Sequence, residues 1–186
     1  MTEMATLEFA IRFHTPFRIS TGYARPGFDA GVDAHRPLPS SSLKGAMRAT
    51  ALRLLQPRSD VVDAVFGSTA AECPWLWHDA VPDGRWHETL PAARVAIDPH
   101  THSARPDMFA VAEQIGADTA RFTITQRLPL DEATQRTHRL VLAVAGQAIR
   151  SIGANRRRGL GWVTITCTTE ELDHAAVDRF LELKKA

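Results

Sequence analysis

The segment Ser151-Ile-Gly-Ala-Asn-Arg-Arg-Arg-Gly-Leu-Gly-Trp162 places three consecutive arginines before a Gly-Leu-Gly turn, between an apolar helical pattern and a strand-like run. Its glycines tolerate positive φ and lack a Cβ, so a phosphate backbone can approach the peptide N–H groups. Its arginines bind phosphate oxygens through paired hydrogen bonds or stack on bases. The segment predicts either a polyanion-binding loop or a solvated turn, since charge runs are often only solvated. The predicted contacts are Asn155, Arg156, Arg157, Arg158, Gly159 and Gly161.

A second segment, Pro37-Leu-Pro-Ser-Ser-Ser-Leu-Lys-Gly-Ala-Met-Arg48, opens a helix that we predict from Ser40 to about Gln56. Apolar residues recur at helical spacing, and the serines offer hydroxyl groups of the kind that cap helices. Lys44 and Arg48 share a face near the positive end of this helix, where free N–H groups and cations bind phosphate. Alternatively, the serines only cap the helix and the two cations are surface charges. The predicted phosphate contacts here are Ser41, Ser42, Lys44 and Arg48.

These two motifs, in this order, make the sequence similar to the RAMP superfamily of CRISPR-associated RNA-binding proteins. The resemblance is greatest to the backbone subunits of type III effector complexes, whose members carry a Ser-Ser-Leu-Lys-Gly-x-x-Arg segment and a glycine-rich Arg-Gly-x-Gly loop. Further similar stretches lie at Thr15–Gly22, Val65–Gly67 and Val95–Asp98. The resemblance extends from about residue 7 to residue 168. It implies binding of a CRISPR guide RNA and a target RNA, and assembly with other RAMP subunits and further copies of the same chain.

The pattern of strands and helices predicts the fold class. Leu7-Glu-Phe-Ala-Ile-Arg-Phe13 has the alternation of a half-buried strand, and residues 121–128 and 161–168 show similar runs. A second long helix is predicted to begin near Arg136 and to end at Gly153. The order of elements predicts an α+β, ferredoxin-like (RRM-like) βαββαβ core, which the resemblance also implies. We expect one domain, residues 1–186, with a loop at 22–37, a thumb-like insertion around 98–109 and a C-terminal helix at 171–184.

The turn-rich segment from Asp98 to Asp107 predicts an exposed excursion after a short strand at residues 94–97. In the resembled family this position carries a thumb that wedges into the guide–target duplex, which implies that Met108 and Phe109 form the wedge. Alternatively, both residues anchor the next strand in the core.

Two tryptophans and two histidines lie in stretches without a clear period. Trp75 and Trp77 fall within residues 68–86, which we predict to be irregular, and we expect core packing rather than stacking on bases for both rings. His100 and His102 lack further metal ligands nearby in sequence, so we expect solvated turn residues.

The resemblance also implies chemistry. In catalytically active type III backbone subunits, an aspartate in the loop before the Ser-Ser-Leu-Lys-Gly helix is required for metal-dependent cleavage of the paired target RNA. Asp29 and Asp33 stand in that loop here. The resemblance therefore assigns catalysis and a divalent metal, Mg²⁺ or Mn²⁺, to Asp29, with Asp33 second, and we expect that metal to be bound mainly together with RNA. Alternatively, both aspartates are turn residues.

The composition is compatible with this interpretation. The formal net charge is only +1, but basic side chains concentrate in residues 1–60 and 136–186, which contain the two motifs. The two cysteines lie far apart and predict neither a disulfide framework nor a zinc site. The sequence shows no signal peptide pattern and no long apolar run, so we expect a cytoplasmic protein without a membrane partner.

Three functions remain open from the sequence. The first is a guide-RNA-binding backbone subunit that cleaves target RNA with a divalent metal. The second is a structural RAMP subunit without catalysis. The third is a metal-independent endoribonuclease that processes guide RNA with histidines such as His14 or His35 as acid–base groups.

Overall fold

The computed structural model of the chain describes residues 4–23 and 26–185, and of residue 107 it describes the backbone only. Helices and antiparallel strands are both present, which confirms the predicted α+β class. In chain order the elements are β1 (Thr6–Phe13), α1 (Ser40–Leu55), α2 (Ser59–Phe66), β2 (Trp75–Trp77), β3 (Val81–Pro82), β4 (Leu90–Ile97), β5 (Ala104–Gln114), β6 (Thr119–Gln126), α3 (Glu132–Gln147), a 3₁₀ turn (Arg156–Arg158), β7 (Val163–Cys167) and α4 (His174–Lys185).

The main sheet is antiparallel and has the strand order β2, β6, β1, β7, with the short β3 also paired to β6. The central strand β1 alternates as predicted, so Leu7, Phe9 and Ile11 are buried while Glu8 is exposed. Phe9 stacks on Phe122 of β6 with ring centroids 4.7 Å apart. Helix α3 packs against β1 and β7, and α1 packs against α3 and β2. The core therefore lies between one face of the sheet and these two helices.

Helix α1 begins at Ser40, as predicted, but its N-terminus is capped differently. Pro39 occupies the N-cap position, and no side chain of the cap residue accepts a hydrogen bond. The Ser40 N–H donates instead to Asp79 Oδ1 at 2.8 Å, and the Ser42 N–H donates to the Pro39 carbonyl at 3.0 Å. The predicted serine caps are wrong because the serines already lie inside the first turn, whereas a capping side chain must precede it.

Helix α3 begins earlier than predicted, at Glu132 rather than near Arg136. Its start is set by a side-chain cap, since Asp131 Oδ1 accepts a hydrogen bond from the Thr134 N–H at 2.9 Å. The polar first turn of α3 contributes little to apolar periodicity, so the sequence pattern reveals the helix only from its second turn. No helix in residues 4–23 and 26–185 is long and apolar enough to cross a membrane.

Residues 68–86 contain the strands β2 and β3, contrary to the prediction of an irregular stretch. Trp75 and Trp77 of β2 are 2% and 5% exposed, which confirms core packing and leaves neither ring available to an RNA base. The Trp75 indole N–H donates to His138 Nδ1 at 3.1 Å, and that of Trp77 donates to Met47 Sδ at 3.3 Å. A three-residue strand is too short to show a period in sequence.

Strands β4 and β5 form a separate two-stranded hairpin, which we call the hairpin. It extends from residue 90 to residue 114, so it begins before and ends after the predicted insertion around 98–109. The turn at its tip begins at Asp98, whose side chain accepts from the N–H groups of His100 and Thr101. The start of β5 at Ala104 falls inside the segment predicted as an exposed excursion, because the proline and polar residues there are typical of turns.

The described part of the predicted loop at residues 22–37 runs beside the hairpin. Ala30 forms a parallel bridge with Ala112, and Val32 pairs with Ser20. The Glu113 N–H donates to the Ala30 carbonyl at 3.0 Å, and Glu113 Oε2 accepts from the Val32 N–H at 3.0 Å. This loop therefore follows the edge of β5.

Candidate nucleic-acid interface

The residues from Ser151 to Trp162 form a closed loop, which we call the arginine loop. Ser151 and Trp162 pair across its base, and the Ile152 N–H donates to the Gly161 carbonyl at 2.9 Å. Two further backbone hydrogen bonds attach the loop to the segment that follows β1, from Ala154 to Arg18 and from Gly161 to residue 16, both 2.8 Å long. The backbone of the loop is therefore held at both ends while its tip remains accessible.

The tip of the arginine loop carries the predicted cations. Asn155 adopts the left-handed conformation with φ 56°, and residues 156–158 form one 3₁₀ turn. The side chains of Arg156, Arg157 and Arg158 are exposed, and within the described part of the chain none of them forms an ion pair. Such a group of uncompensated guanidinium groups attracts a polyanion.

Two glycines of this loop are required by its geometry. Gly153 and Gly161 have φ values of 74° and 72°. A Cβ at Gly153 would lie 2.4 Å from the Arg18 carbonyl oxygen, and one at Gly161 would lie 1.9 Å from the Ile152 carbonyl oxygen. Gly159 also has a positive φ, of 82°, but a Cβ there would have no atom within 4 Å. The backbone around Gly159 is therefore open to a ligand.

Beneath the loop lie two arginines that belong to neither of the predicted sets of RNA contacts. Arg18 is only 4% exposed, and Arg94 of β4 donates from Nη1 to Asn155 Oδ1 at 3.0 Å. Arg94 Nε and Asn155 Nδ2 are buried without a hydrogen-bond partner. Burial and, to a lesser extent, the neighbouring Arg94 charge lower the pKa of Arg18. No sequence signal marks these residues, because Arg18 and Arg94 lie far apart in the chain and each stands in a strand-like run.

The N-terminal end of α1 carries the second set of predicted contacts. The Lys44 Nζ atom lies 5.2 Å from the centroid of the buried Trp77 ring. Arg48 Nη2 forms an ion pair with Asp63 Oδ1 at 2.7 Å. Ser41 is exposed at this end of the helix and Ser42 is half-buried.

A carboxylate already lies at the positive end of α1. Asp79 accepts the Ser40 N–H and also binds Arg36, from Nε at 2.8 Å and from Nη2 at 3.2 Å. The hydrogen bond from Arg36, followed by that from the Ser40 N–H, lowers the pKa of Asp79 to about 2. The first N–H group of α1 is therefore not free for phosphate, contrary to the prediction.

The two predicted catalytic aspartates have different surroundings. Asp29 is exposed, and it pairs with β5 through two hydrogen bonds of 2.8 Å, from its N–H to the Val111 carbonyl and from the Val111 N–H to Asp29 Oδ2. Asp33 Oδ1 accepts from the N–H groups of His35 and Arg36 at 2.9 and 3.2 Å, and these bonds lower the pKa of Asp33. Asp33 thus has the geometry of a turn residue, whereas Asp29 is fixed to the hairpin.

A metal site made by the protein alone is not formed by the described residues. Among residues 4–23 and 26–185, no three His, Cys, Asp or Glu side chains come together in a way that could hold a metal ion. His100 and His102 lie at the exposed hairpin tip. His14 Nε2 lies 2.8 Å from Thr164 Oγ1. Any metal at Asp29 would therefore need ligands from outside the described residues.

Met108 and Phe109 lie on β5 with 54% and 63% of their surfaces exposed. Val95 lies opposite Phe109 in the register of the hairpin, and Val95 and Ile97 are also about half exposed. The alternative that both residues anchor a strand in the core is therefore wrong. The hairpin instead presents exposed apolar side chains that no described element of this chain covers.

Comparisons with known proteins identify related sequences and folds. A family model described as RAMPs, the RAMP superfamily, matches residues 10–164, well over half of the chain. The search of curated proteins found no match.

Solved structures with a similar fold come from type III-B Cmr-beta complexes. A chain from the cryo-EM structure of Cmr-beta bound to cognate target RNA has 19% sequence identity and a TM-score of 0.65, and the match covers 88% of this chain and 59% of that one. A chain from the Cmr-beta apo state has 12% identity and a TM-score of 0.67, with 89% and 98% covered. The present chain thus spans little more than half of the first relative and nearly all of the second.

Proposed function

The chain belongs to the RAMP superfamily, and we propose that it is a guide-RNA-binding backbone subunit of a type III CRISPR effector complex. The observation that carries this proposal is that the hairpin contacts both other parts of the candidate site. Arg94 of β4 binds Asn155 of the arginine loop, and Val111 of β5 binds Asp29. These two contacts join the arginine loop, the exposed apolar hairpin and the Asp29 carboxylate, which supports a shared role in binding RNA.

The guide RNA backbone lies along the arginine loop in this proposal. Arg156, Arg157 and Arg158 contact phosphates, and the backbone around Gly159 and Gly161 allows close approach. Asn155, through its bond to Arg94, holds the loop against the hairpin. Lys44, Arg48, Ser41 and Ser42 contribute less, because Asp63 and Asp79 already offset the positive charge at that end of α1.

The fold of the core supports the family assignment further. We propose that it is the ferredoxin-like βαββαβ core, with β1, α1, β2, β6, α3 and β7 as its six elements. The sheet order β7, β1, β6, β2 with antiparallel neighbours agrees with this arrangement. The hairpin is then an insertion between the second and third core strands, within a single domain of residues 1–186, and it corresponds to the thumb. Met108 and Phe109 are its wedge residues, since they are apolar and exposed.

Several copies, together with other RAMP subunits, assemble along one guide. A single chain with a formal net charge of +1 offers few phosphate contacts and binds RNA weakly alone. Neighbouring copies on the same guide convert weak single contacts into strong combined binding. The relatives in Cmr-beta complexes, one of them bound to target RNA, are consistent with such an assembly.

Cleavage of target RNA is assigned to Asp29. Its Oδ2 is held by the Val111 N–H, so the carboxylate is oriented before any RNA arrives. A divalent ion, Mg²⁺ or Mn²⁺, held by Asp29 and by RNA phosphates would stabilise the charge that develops when a 2′-hydroxyl attacks the scissile phosphate. Asp33 supports the loop as a turn residue and stays second as a catalytic candidate.

A second candidate function is a structural RAMP subunit without catalysis. It is favoured by one observation, namely that the Asp29 carboxylate already has a structural role in joining its loop to β5. In that case Asp29 is required for the shape of the hairpin base and not for chemistry.

Cleavage of labelled target RNA by the guide-loaded complex separates the two candidates. We compare wild type, Asp29→Asn and Asp33→Asn, with and without Mg²⁺ or Mn²⁺. Asparagine keeps an oxygen that can accept the Val111 N–H, so Asp29→Asn removes the charge and preserves the hydrogen bond. Metal-dependent cleavage that is lost in Asp29→Asn alone, with guide binding retained, supports catalysis. Guide binding without cleavage by wild type supports the structural subunit, and failure of the complex to bind RNA at low salt contradicts both.

A further inference from the structure

Arg18 and Arg94 form a pair of like charges under the arginine loop that the rest of the described chain does not neutralise. Arg18 is 4% exposed, and no described side chain forms a hydrogen bond or ion pair with it. Arg94 has one hydrogen bond, from Nη1 to Asn155, and its Nε is buried without a partner. Burying a charged group without a counter-ion costs free energy, so such an arrangement persists where a ligand supplies the missing charge.

The unpaired polar atoms all belong to donors. Arg94 Nε and Asn155 Nδ2 are buried N–H groups without an acceptor. The guanidinium group of the buried Arg18 adds further N–H donors that no described side chain pairs with. A ligand that satisfies them must offer several acceptor oxygens and negative charge. A tetrahedral phosphate group does so, and guanidinium groups bind it through paired hydrogen bonds.

We propose that Arg18, Arg94 and Asn155 form an internal anion site that takes one phosphodiester group of single-stranded RNA. The exposed side chains of Arg156, Arg157 and Arg158 lie next to Asn155 in the chain, so the anion that reaches this site belongs to a longer polyanion and not to a single carboxylate. The identity of the ligand rests on the proposed function, whereas the anion site itself rests only on the unpaired donors.

The backbone also shapes this site. The Ala154 N–H donates to the Arg18 carbonyl at 2.8 Å, and a Cβ at Gly153 would collide with the same oxygen. Gly153 therefore allows the arginine loop to lie directly on residue 18. The left-handed conformation of Asn155 then brings its side chain to Arg94. One phosphate would be held by residues from three separate parts of the chain.

The test uses the purified chain with two probes, inorganic phosphate and a short unstructured single-stranded RNA. The main variant is Arg18→Met, which keeps the volume of an apolar stem and removes the charge. The second variant is Arg94→Gln, which retains a donor for Asn155. The control is Arg53→Met, because Arg53 is exposed on the last turn of α1. Thermal unfolding and RNA affinity at several salt concentrations are measured for each.

We expect phosphate to raise the Tm of wild type and of the control Arg53→Met. It should not raise the Tm of Arg18→Met or Arg94→Gln. Without phosphate, Arg18→Met unfolds at the same Tm as wild type or higher, because an unpaired buried charge has been removed. Its RNA affinity falls about tenfold, and the slope of log K against log salt falls by about 0.7, the value for one phosphate contact on a single strand.

Two results would overturn the site while leaving the proposed function intact. One is wild-type RNA affinity and salt slope in both variants. The other is a Tm of Arg18→Met well below that of wild type without phosphate, or loss of folding in both variants, since the arginines would then stabilise the free fold. Conversely, phosphate could raise the Tm only when Arg18 is present while wild type binds no RNA. That result would support the anion site and contradict the proposed function.

Discussion

The arginine loop and the N-terminal end of α1 are both basic in sequence, but the structure balances their charges differently. At the end of α1, Asp63 pairs with Arg48, and Asp79 binds both Arg36 and the first N–H of the helix. In the arginine loop, residues 156–158 are exposed and form no ion pair within the described residues. We therefore expect the arginine loop, whose charges are uncompensated, to contribute more to phosphate binding than the equally basic end of α1.

The largest expected effect concerns the shape of the arginine loop. Gly161→Ala places a Cβ 1.9 Å from the Ile152 carbonyl oxygen at a φ of 72°, so we expect the free energy of unfolding to fall by about 3 kcal/mol and RNA binding to be lost with the loop. Denaturant unfolding and RNA titration measure both quantities.

Gly159→Ala is the matched control for this substitution. Gly159 has a similar φ of 82°, but its added Cβ would meet no atom within 4 Å. Only the cost of the left-handed conformation, about 1 kcal/mol, is expected. Equal losses in the two variants would show that the contact with residue 152 does not determine the shape of the loop.

The next largest effect is expected from removing a carboxylate that offsets the positive charge at the N-terminal end of α1. Asp79→Ala removes the carboxylate that binds Arg36 and the Ser40 N–H, so we expect stability to fall by about 1 kcal/mol, as for a lost helix cap. RNA affinity should rise by about threefold, because one half-buried carboxylate near the surface contributes less than about 1 kcal/mol. Unchanged or weaker RNA binding, with the helix intact by circular dichroism, would contradict the idea that Asp79 competes with phosphate.

The same carboxylate gives a pH dependence with a defined sign. The pKa of Asp79 is lowered to about 2 in the folded chain, from the usual value of 3.8. Its contribution to stability is therefore fully present above about pH 4 and is lost as the pH falls toward 2. Stability measured between pH 4 and pH 2 should fall more steeply for wild type than for Asp79→Ala. Parallel curves would show that the bonds to Arg36 and Ser40 do not form in solution.

The smallest expected effect belongs to Arg48. Because its guanidinium group is paired with Asp63 on the surface, Arg48→Gln should change stability by less than about 1 kcal/mol and RNA affinity by no more than about twofold. Fluorescence anisotropy with single-stranded RNA measures the affinity. A tenfold loss of affinity would mean that Arg48 leaves Asp63 and binds phosphate directly.

Local sequence patterns predicted much of the core. The alternation of β1 and the helical spacing of α1 reflect single elements that each bury one face, so both could be recognised from neighbouring residues. The glycines at 153, 159 and 161 also predicted positive φ values correctly.

Long-range contacts determined what the sequence could not show. The cap of α1 comes from Asp79, which is distant in the chain, so the adjacent serines suggested the wrong cap. The full length of the hairpin depends on pairing between β4 and β5, whose residues alternate only weakly. Arg18 and Arg94 meet the arginine loop only after the hairpin and the segment after β1 have folded against it.

The salt dependence of single-stranded RNA binding shows which of the two basic surfaces supplies the phosphate contacts. Wild type is compared with a loop variant, Arg156→Gln with Arg157→Gln and Arg158→Gln, and with an α1 variant, Lys44→Gln with Arg48→Gln. If the arginine loop supplies the phosphate contacts, the slope of log K against log salt falls by about 2 in the loop variant and by less than about 0.7 in the α1 variant. An equal or larger fall in the α1 variant would mean that the arginine loop is not the main phosphate-binding surface.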